Sequence, residues 1–278
     1  MVAATALFAL MTAAVKVARA ERSALEVMLW RSLSAMPFAM VAVRAGGGGA
    51  WRDALQVQDR RSVAARSALG FLAMFSYFSA AKGLAVADLS LVMRMQPIGV
   101  AVLAPLVLGV SERPGGRVWL ALVLGVVGGA LILGPELAVG SVWGMWAAAS
   151  ALFSAAAHTM LRRAARTERA SVIVFWFQAS SAAVALAALL LGPGLELAPL
   201  HIWPALVGAG VCSALGQLAL SRAYKLESAA SVAGAGAIGP LFGVAMDLLL
   251  FDHLPGPLIW LGGALVIASG TLLALRRD

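Results

Sequence analysis

The chain has 278 residues, 62% of them apolar and only 12% charged, with a mean hydropathy of +0.91. Soluble domains run at about 45–50% apolar and about 25% charged, so a soluble globular enzyme and a disordered chain are both excluded. The formal charge of +8 falls between apolar runs rather than along one amphipathic face, which points to loops that set membrane topology and not to nucleic acid.

Apolar windows, read against their charged and Gly/Pro punctuation, predict ten spans. In chain order they cover 2–19, 24–43, 66–86, 89–110, 117–135, 141–161, 171–192, 203–222, 230–250 and 257–275. Each is close to the roughly 20 residues that cross a hydrocarbon core of about 30 Å. The one long connection, 44–65, carries Gly46 to Gly49 and then Arg52, Asp53, Asp59, Arg60 and Arg61. It reads as a flexible polar loop, with room for a surface helix. With the N-terminus in the cytoplasm, the inside connections hold fifteen Lys and Arg, Arg66 among them, and the outside ends hold four. That bias places both termini inside. The N-terminus lacks a basic n-region, so no secretory signal peptide is expected and the first span serves for insertion. The single cysteine, Cys212, has no internal disulfide partner.

An internal repeat is visible in the spacing. Lys82 and Lys225 are 143 apart, as are Pro97 and Pro240; Trp119 and Trp260 are 141 apart; Trp30-Arg31 aligns with Phe177-Gln178 at 147. Two halves of five spans, 1–138 and 139–278, enter the membrane from opposite sides because five is odd. The expected fold is therefore an all-α integral membrane protein of ten transmembrane helices, built as two inverted five-helix repeats.

The run Ala80-Ala81-Lys82-Gly83-Leu84-Ala85-Val86-Ala87-Asp88, then Gln96-Pro97, Glu112-Arg113-Pro114 and Trp119 through Gly129, resembles the first repeat of the EamA family in the drug/metabolite transporter superfamily. The second half repeats it as Arg222 through Ala230, Gly239-Pro240, Asp252-His253-Leu254 and Trp260 through Gly270. Two departures are Asp252, where the family usually has Glu, and the added charge of Arg94. The resemblance implies a ten-helix secondary transporter of small metabolites in a bacterial-type inner membrane. It further implies, as a finer expectation, export of amino acids or related compounds by alternating access. An importer of another metabolite class, or a membrane-embedded enzyme acting on lipid or peptide, is the alternative. A metal cluster, phosphate loop or nucleophile elbow is not visible, so no enzyme activity, cofactor or metal is expected. The expected partners are a small-molecule substrate and membrane lipid; monomer and homodimer both stay open.

Charged side chains at membrane depth are costly enough that each needs a partner, a cavity or the interface. Lys16, Arg31, Lys82 and Arg94 are expected in the outer half of the membrane, as a vestibule for an anionic cargo group or as structural cations paired with Glu21, Glu26 or Asp88. His158, Gln178 and Gln217 are placed in the inner half and Asp247 near the outer end of the ninth span. His158 and Asp247 are candidates for proton coupling, or else interfacial. Gln96 joins the substrate or gating set, and Tyr77 is the mid-span aromatic whose hydroxyl needs a partner. Pro97 and Gly99 in the fourth span, with Gly236, Gly239 and Pro240 in the ninth, are expected to form hinges.

Overall fold

The computed structural model describes residues 1–45, 56–80, 93, 95–133, 142–238 and 257–274, and these are helical with short connections, without a β-strand among them. The helices are α1 (Val2–Arg19), α2 (Ala24–Ala45), α3 (Arg60–Ala80), α4 (Gln96–Leu108), α5 (Gly116–Leu133), α6 (Val142–Ala164), α7 (Ala170–Leu191), α8 (Trp203–Leu226), α9 (Ala229–Ala235) and α10 (Pro257–Ala274). Five helical stretches are long and apolar enough to cross a membrane, at Val2–Arg19, Ala24–Ala45, Arg60–Ala80, Ala170–Leu191 and Leu200–Leu226, and shorter apolar helices accompany them.

Two expectations change at α3. The span predicted at 66–86 begins six residues earlier, so 60–65 is helix rather than loop. The cause is a cap. Asp59 accepts a hydrogen bond from the Ser62 backbone N–H at 3.0 Å and another from the Ser62 hydroxyl, which satisfies donors that a helix start leaves orphaned. Arg66, counted above as a loop charge, is thereby drawn inside the helix and buried.

The chain divides into two compact units. One comprises 3–71 and 160–226; the other comprises 1–2, 72–159 and 227–278. In the first, α2 packs against α7 and α8. The buried face of α2 includes Val27, Met28, Arg31, Ser32, Ala35, Ala39 and Val43, the spacing of one helical stripe. Ala39 and Val43 meet Val174 and Phe175 of α7, with Met36, Met40, Trp176 and Leu218 around them. The backbones of α2 and α8 come close because Gly210 has no side chain. A Cβ there would sit 2.5 Å from Ser34 Cβ and 2.9 Å from the Arg31 carbonyl oxygen.

In the other unit α5 packs along α10 and α4 against α9. Close approach again rests on glycine, since a Cβ on Gly128 would lie 2.7 Å from the Gly262 carbonyl oxygen. Ser269 donates to the Ala121 carbonyl at 2.6 Å across the same pair. Ala101, Val118, Leu122 and Ala230 form its buried apolar cluster, and Glu112 accepts from the Ala229 N–H at 2.9 Å to cap α9.

Candidate functional site

The first unit holds a polar interior on α2, α3, α7 and α8. Arg31, the eighth residue of α2, is 1% exposed. Its Nη1 donates to Ser213 Oγ at 2.8 Å and lies 3.8 Å from Met11 Sδ, while Nη2 reaches Ser32 Oγ at 3.4 Å. Gln178, fully buried on α7, donates from Nε2 to the same Ser213 Oγ at 3.0 Å. Ser213 thus accepts twice, which occupies both lone pairs and leaves its hydroxyl proton as the one group it can still give.

One turn further along α8, Gln217 Oε1 accepts from Arg66 Nη2 at 3.0 Å. Arg66 is 3% exposed, and its guanidinium carbon stands 4.4 Å from the centre of the Phe177 ring, a cation–π arrangement. Tyr224, fully buried near the end of α8, is close enough to interact electrostatically with Arg66.

The structure brings together two residues that the sequence places on different spans. Arg31 and Gln178, assigned above to opposite halves of the membrane, share one hydroxyl. At about 1.5 Å per residue each lies some 10–12 Å from its helix start, and the long arginine side chain closes what separates them. Of the carboxylates expected as counter-ions, Glu26 is held by Arg22 at 3.1 Å and by the Ser23 N–H. Glu21 meets His201 at 2.7 Å.

In the other unit, Gln96 opens α4 and its side-chain amide is hydrogen-bonded to His158 Nδ1 on α6. The histidine that the sequence puts near Arg162 and Arg163 is therefore hydrogen-bonded to the first residue of α4. Tyr77 packs on Ala80 and Ala147 and meets Phe78 edge-on at 6.0 Å. Pro97 occupies the first turn of α4, where a proline removes no intrahelical bond, so any bending there belongs to the joint before the helix. Pro105 is the proline inside it. Gly99 faces Ala155 Cβ, 2.8 Å from where its own Cβ would be, and Gly236 opens a short 3₁₀ turn over 236–238. Lys82, Arg94, Gly239, Pro240 and Asp247 lie outside the described residues, as does the side chain of Lys16.

Sequence reading does not single out Arg66 or Phe177 as site residues, and offers Ser213 only as a candidate catalytic serine, with Ser154 and His158, of the membrane-enzyme alternative. The signal for Arg66 was present in Asp59-Arg60-Arg61-Ser62: an N-cap residue followed three positions later by a serine places the helix start at Arg60. Ser213, a small polar residue in an apolar run, carries no signal of its own.

A bundle of apolar helices with arginine and glutamine buried at membrane depth is the architecture of a membrane transporter. A family model described as the EamA-like transporter family matches residues 1–134. The pseudopaline exporter CntI of Pseudomonas aeruginosa, from strains UCBPP-PA14 and PAO1, is 32% identical over 271 residues, covering 97% of this chain and 92% of the relative. A crystal structure at 20% identity aligns with a TM-score of 0.80 over 99% of this chain and 96% of its own, which shows a shared fold. The chain belongs to the EamA-like transporter family. It is a multi-pass inner-membrane protein whose substrate is a small molecule.

Proposed function

We propose that the protein is a secondary exporter of amino acids or closely related metabolites, working by alternating access, and that Arg31 receives the cargo carboxylate. The carrying observation is the buried trio Arg31, Ser213 and Gln178. A guanidinium matches a carboxylate with two parallel donors, and the free proton of Ser213 supplies a third. The Gln178 Oε1 atom is buried with no hydrogen-bond partner among the described residues, which suits an ammonium group beside the carboxylate. An exporter at 32% identity over nearly the whole length supports outward movement of a small metabolite.

The architecture that goes with this reading has ten helices in two inverted halves, 1–138 and 139–278. Lys16, Lys82, Arg94, Tyr77, Gln217 and Asp247 belong to its substrate path or gates. Gln96 with His158 forms a second polar pair, and Pro97, Gly99, Gly236, Gly239 and Pro240 are its flexible points.

Counterflow of labelled amino acids into liposomes tests the reading. Arg31→Gln keeps a polar side chain but loses the charge, and should weaken cargo binding by about 1.5–3 kcal/mol, some 10- to 150-fold. An Arg31→Gln chain that inserts normally and transports at the wild-type rate would overturn it.

A further inference from the structure

Arg66 is a second buried cation whose surroundings do not account for it. Nη2 bonds Gln217 and the guanidinium lies over Phe177, yet Nε and Nη1 are buried with no hydrogen-bond partner among the described residues. Among those residues it also has no carboxylate within ion-pair distance. A charge buried away from water calls for a counter-charge or further hydrogen bonds, and a cation–π contact together with one neutral amide supplies only part of that. The site is shaped around the group. A Cβ on Gly70, one turn from Arg66 on α3, would fall against Arg66 Nη1 and 2.8 Å from Phe177 Cε2, so a larger residue there would displace the guanidinium from its present position.

The anchors of Arg66 adjoin those of Arg31. Ser213 and Gln217 are one turn apart on α8, where side chains at i and i+4 stand about 5–6 Å from one another, and Phe177 and Gln178 are consecutive on α7. Two guanidinium groups are thus held on neighbouring positions of the same two helices, the second with Nε and Nη1 unused.

We infer that Arg66 is a second anion-binding group of the cargo site and that the preferred cargo is a dicarboxylate, its two carboxylates bridging Arg31 and Arg66. This rests on the reading of Arg31 given above. The two guanidiniums cannot share one small monocarboxylate as well as they can take the two ends of a longer molecule, so selectivity for the second carboxylate resides in Arg66. Gln217, Phe177 and Gly70 act through it as positioning residues.

The test is thermal unfolding of the full-length protein in lipid nanodiscs, titrated with 2-aminobutyrate, aspartate, glutamate and 2-aminoadipate, because a ligand bound by the native state alone raises its midpoint by mass action. In the wild type at least one amino dicarboxylate should bind about tenfold or more tighter than 2-aminobutyrate. Arg66→Gln should bring that ligand down toward the 2-aminobutyrate level, a much larger loss than 2-aminobutyrate itself shows, and Arg31→Gln should weaken both. Should Arg66→Gln fail to fold, Arg66→Lys and the dependence of wild-type affinity on dicarboxylate length take its place. A shorter single-point cation should lose most of the preference, and affinity should peak at one chain length. Equal binding of mono- and dicarboxylates by the wild type, or a preference that survives loss of Arg66, overturns the inference; if 2-aminobutyrate binding still depends on Arg31, the reading of Arg31 stands. No binding by any of the four, with Arg31→Gln without effect, overturns both.

Discussion

At the scale of single residues, Asp59 shows how one side chain decides where a helix begins and which charges it swallows. The Ser62 hydroxyl and N–H hold its carboxyl below the ordinary range, with Arg163 at 3.9 Å adding to the effect. A carboxyl whose folded pKa is depressed gives stability that is present above its unfolded pKa of about 3.9 and is lost as pH falls through the lower folded value. Asp59→Ala should therefore lower stability at neutral pH by about 0.5–2 kcal/mol, as for other lost caps. Its deficit against the wild type should shrink on acidification below about pH 4. Denaturation midpoints of the two proteins between pH 7 and pH 3 measure this, and a deficit that grows in acid would contradict it. The same residue explains what could be read in advance. Arg31 announces itself because it interrupts an apolar run, and Gln178 and Gln217 do likewise. Arg66 does not, because it follows Arg60 and Arg61 and a hydropathy window absorbs it into the loop. Ser213 does not stand out as a binding residue because a serine in a helix is ordinary, and only the meeting of α2, α7 and α8 gives it two donors.

Among the helices, small residues set the distance between axes. Gly208 and Gly210 are two positions apart on α8 and meet opposite circumstances: nothing lies within 4 Å of a Cβ at Gly208, whereas one at Gly210 would strike the α2 backbone beside Arg31. Gly208→Ala should be neutral or stabilising by up to about 1 kcal/mol from helix propensity. Gly210→Ala should cost about 1–3 kcal/mol from overpacking and should weaken cargo binding, since α8 carries Ser213. Thermal unfolding of both variants distinguishes them, and equal midpoints would show that α2 and α8 have slack. The spacing Gly208, Cys212 and Gly216 gives this helix a stripe of small residues at i, i+4 and i+8. Its tight contacts in fact fall at Gly210 against α2 and at Gly216 against the Phe8 ring. Periodicity alone gives a helix its apolar and small faces but not the partner each face meets, which is why the stripe was legible and its contact points were not.

Within each of the two units some helices pair at an interval of five, α2 on α7, α4 on α9 and α5 on α10, while α2 also packs on α8. Arg31 and Gln178, aligned by the sequence spacing of 147, converge on one hydroxyl. Several polar contacts join helix ends that the proposed topology puts on one side of the membrane. Glu21 meets His201 and Arg22 meets Glu196, all on connections assigned to the outside. Asp59 N–H donates to Glu168, and Arg162 donates to the carbonyl of Tyr224 at 2.6 Å, all at ends assigned to the cytoplasm. Glu112 and Ala229, likewise joined, are both assigned inside. Taking the buried Arg66 out of the count, while Arg60 and Arg61 stay exposed at the helix end, leaves fourteen inside cations against four outside, so the charge bias survives. Labelling follows directly: in a Cys212→Ser background, Gln56→Cys should react with an impermeant maleimide only from the cytoplasmic face and Gly140→Cys only from the other. An odd number of crossings must separate those two positions if spans three, four and five all traverse the membrane. Reaction of both from the same face would remove one crossing, break the five-and-five alternation, and with it the inverted repeat on which the proposed transport cycle depends.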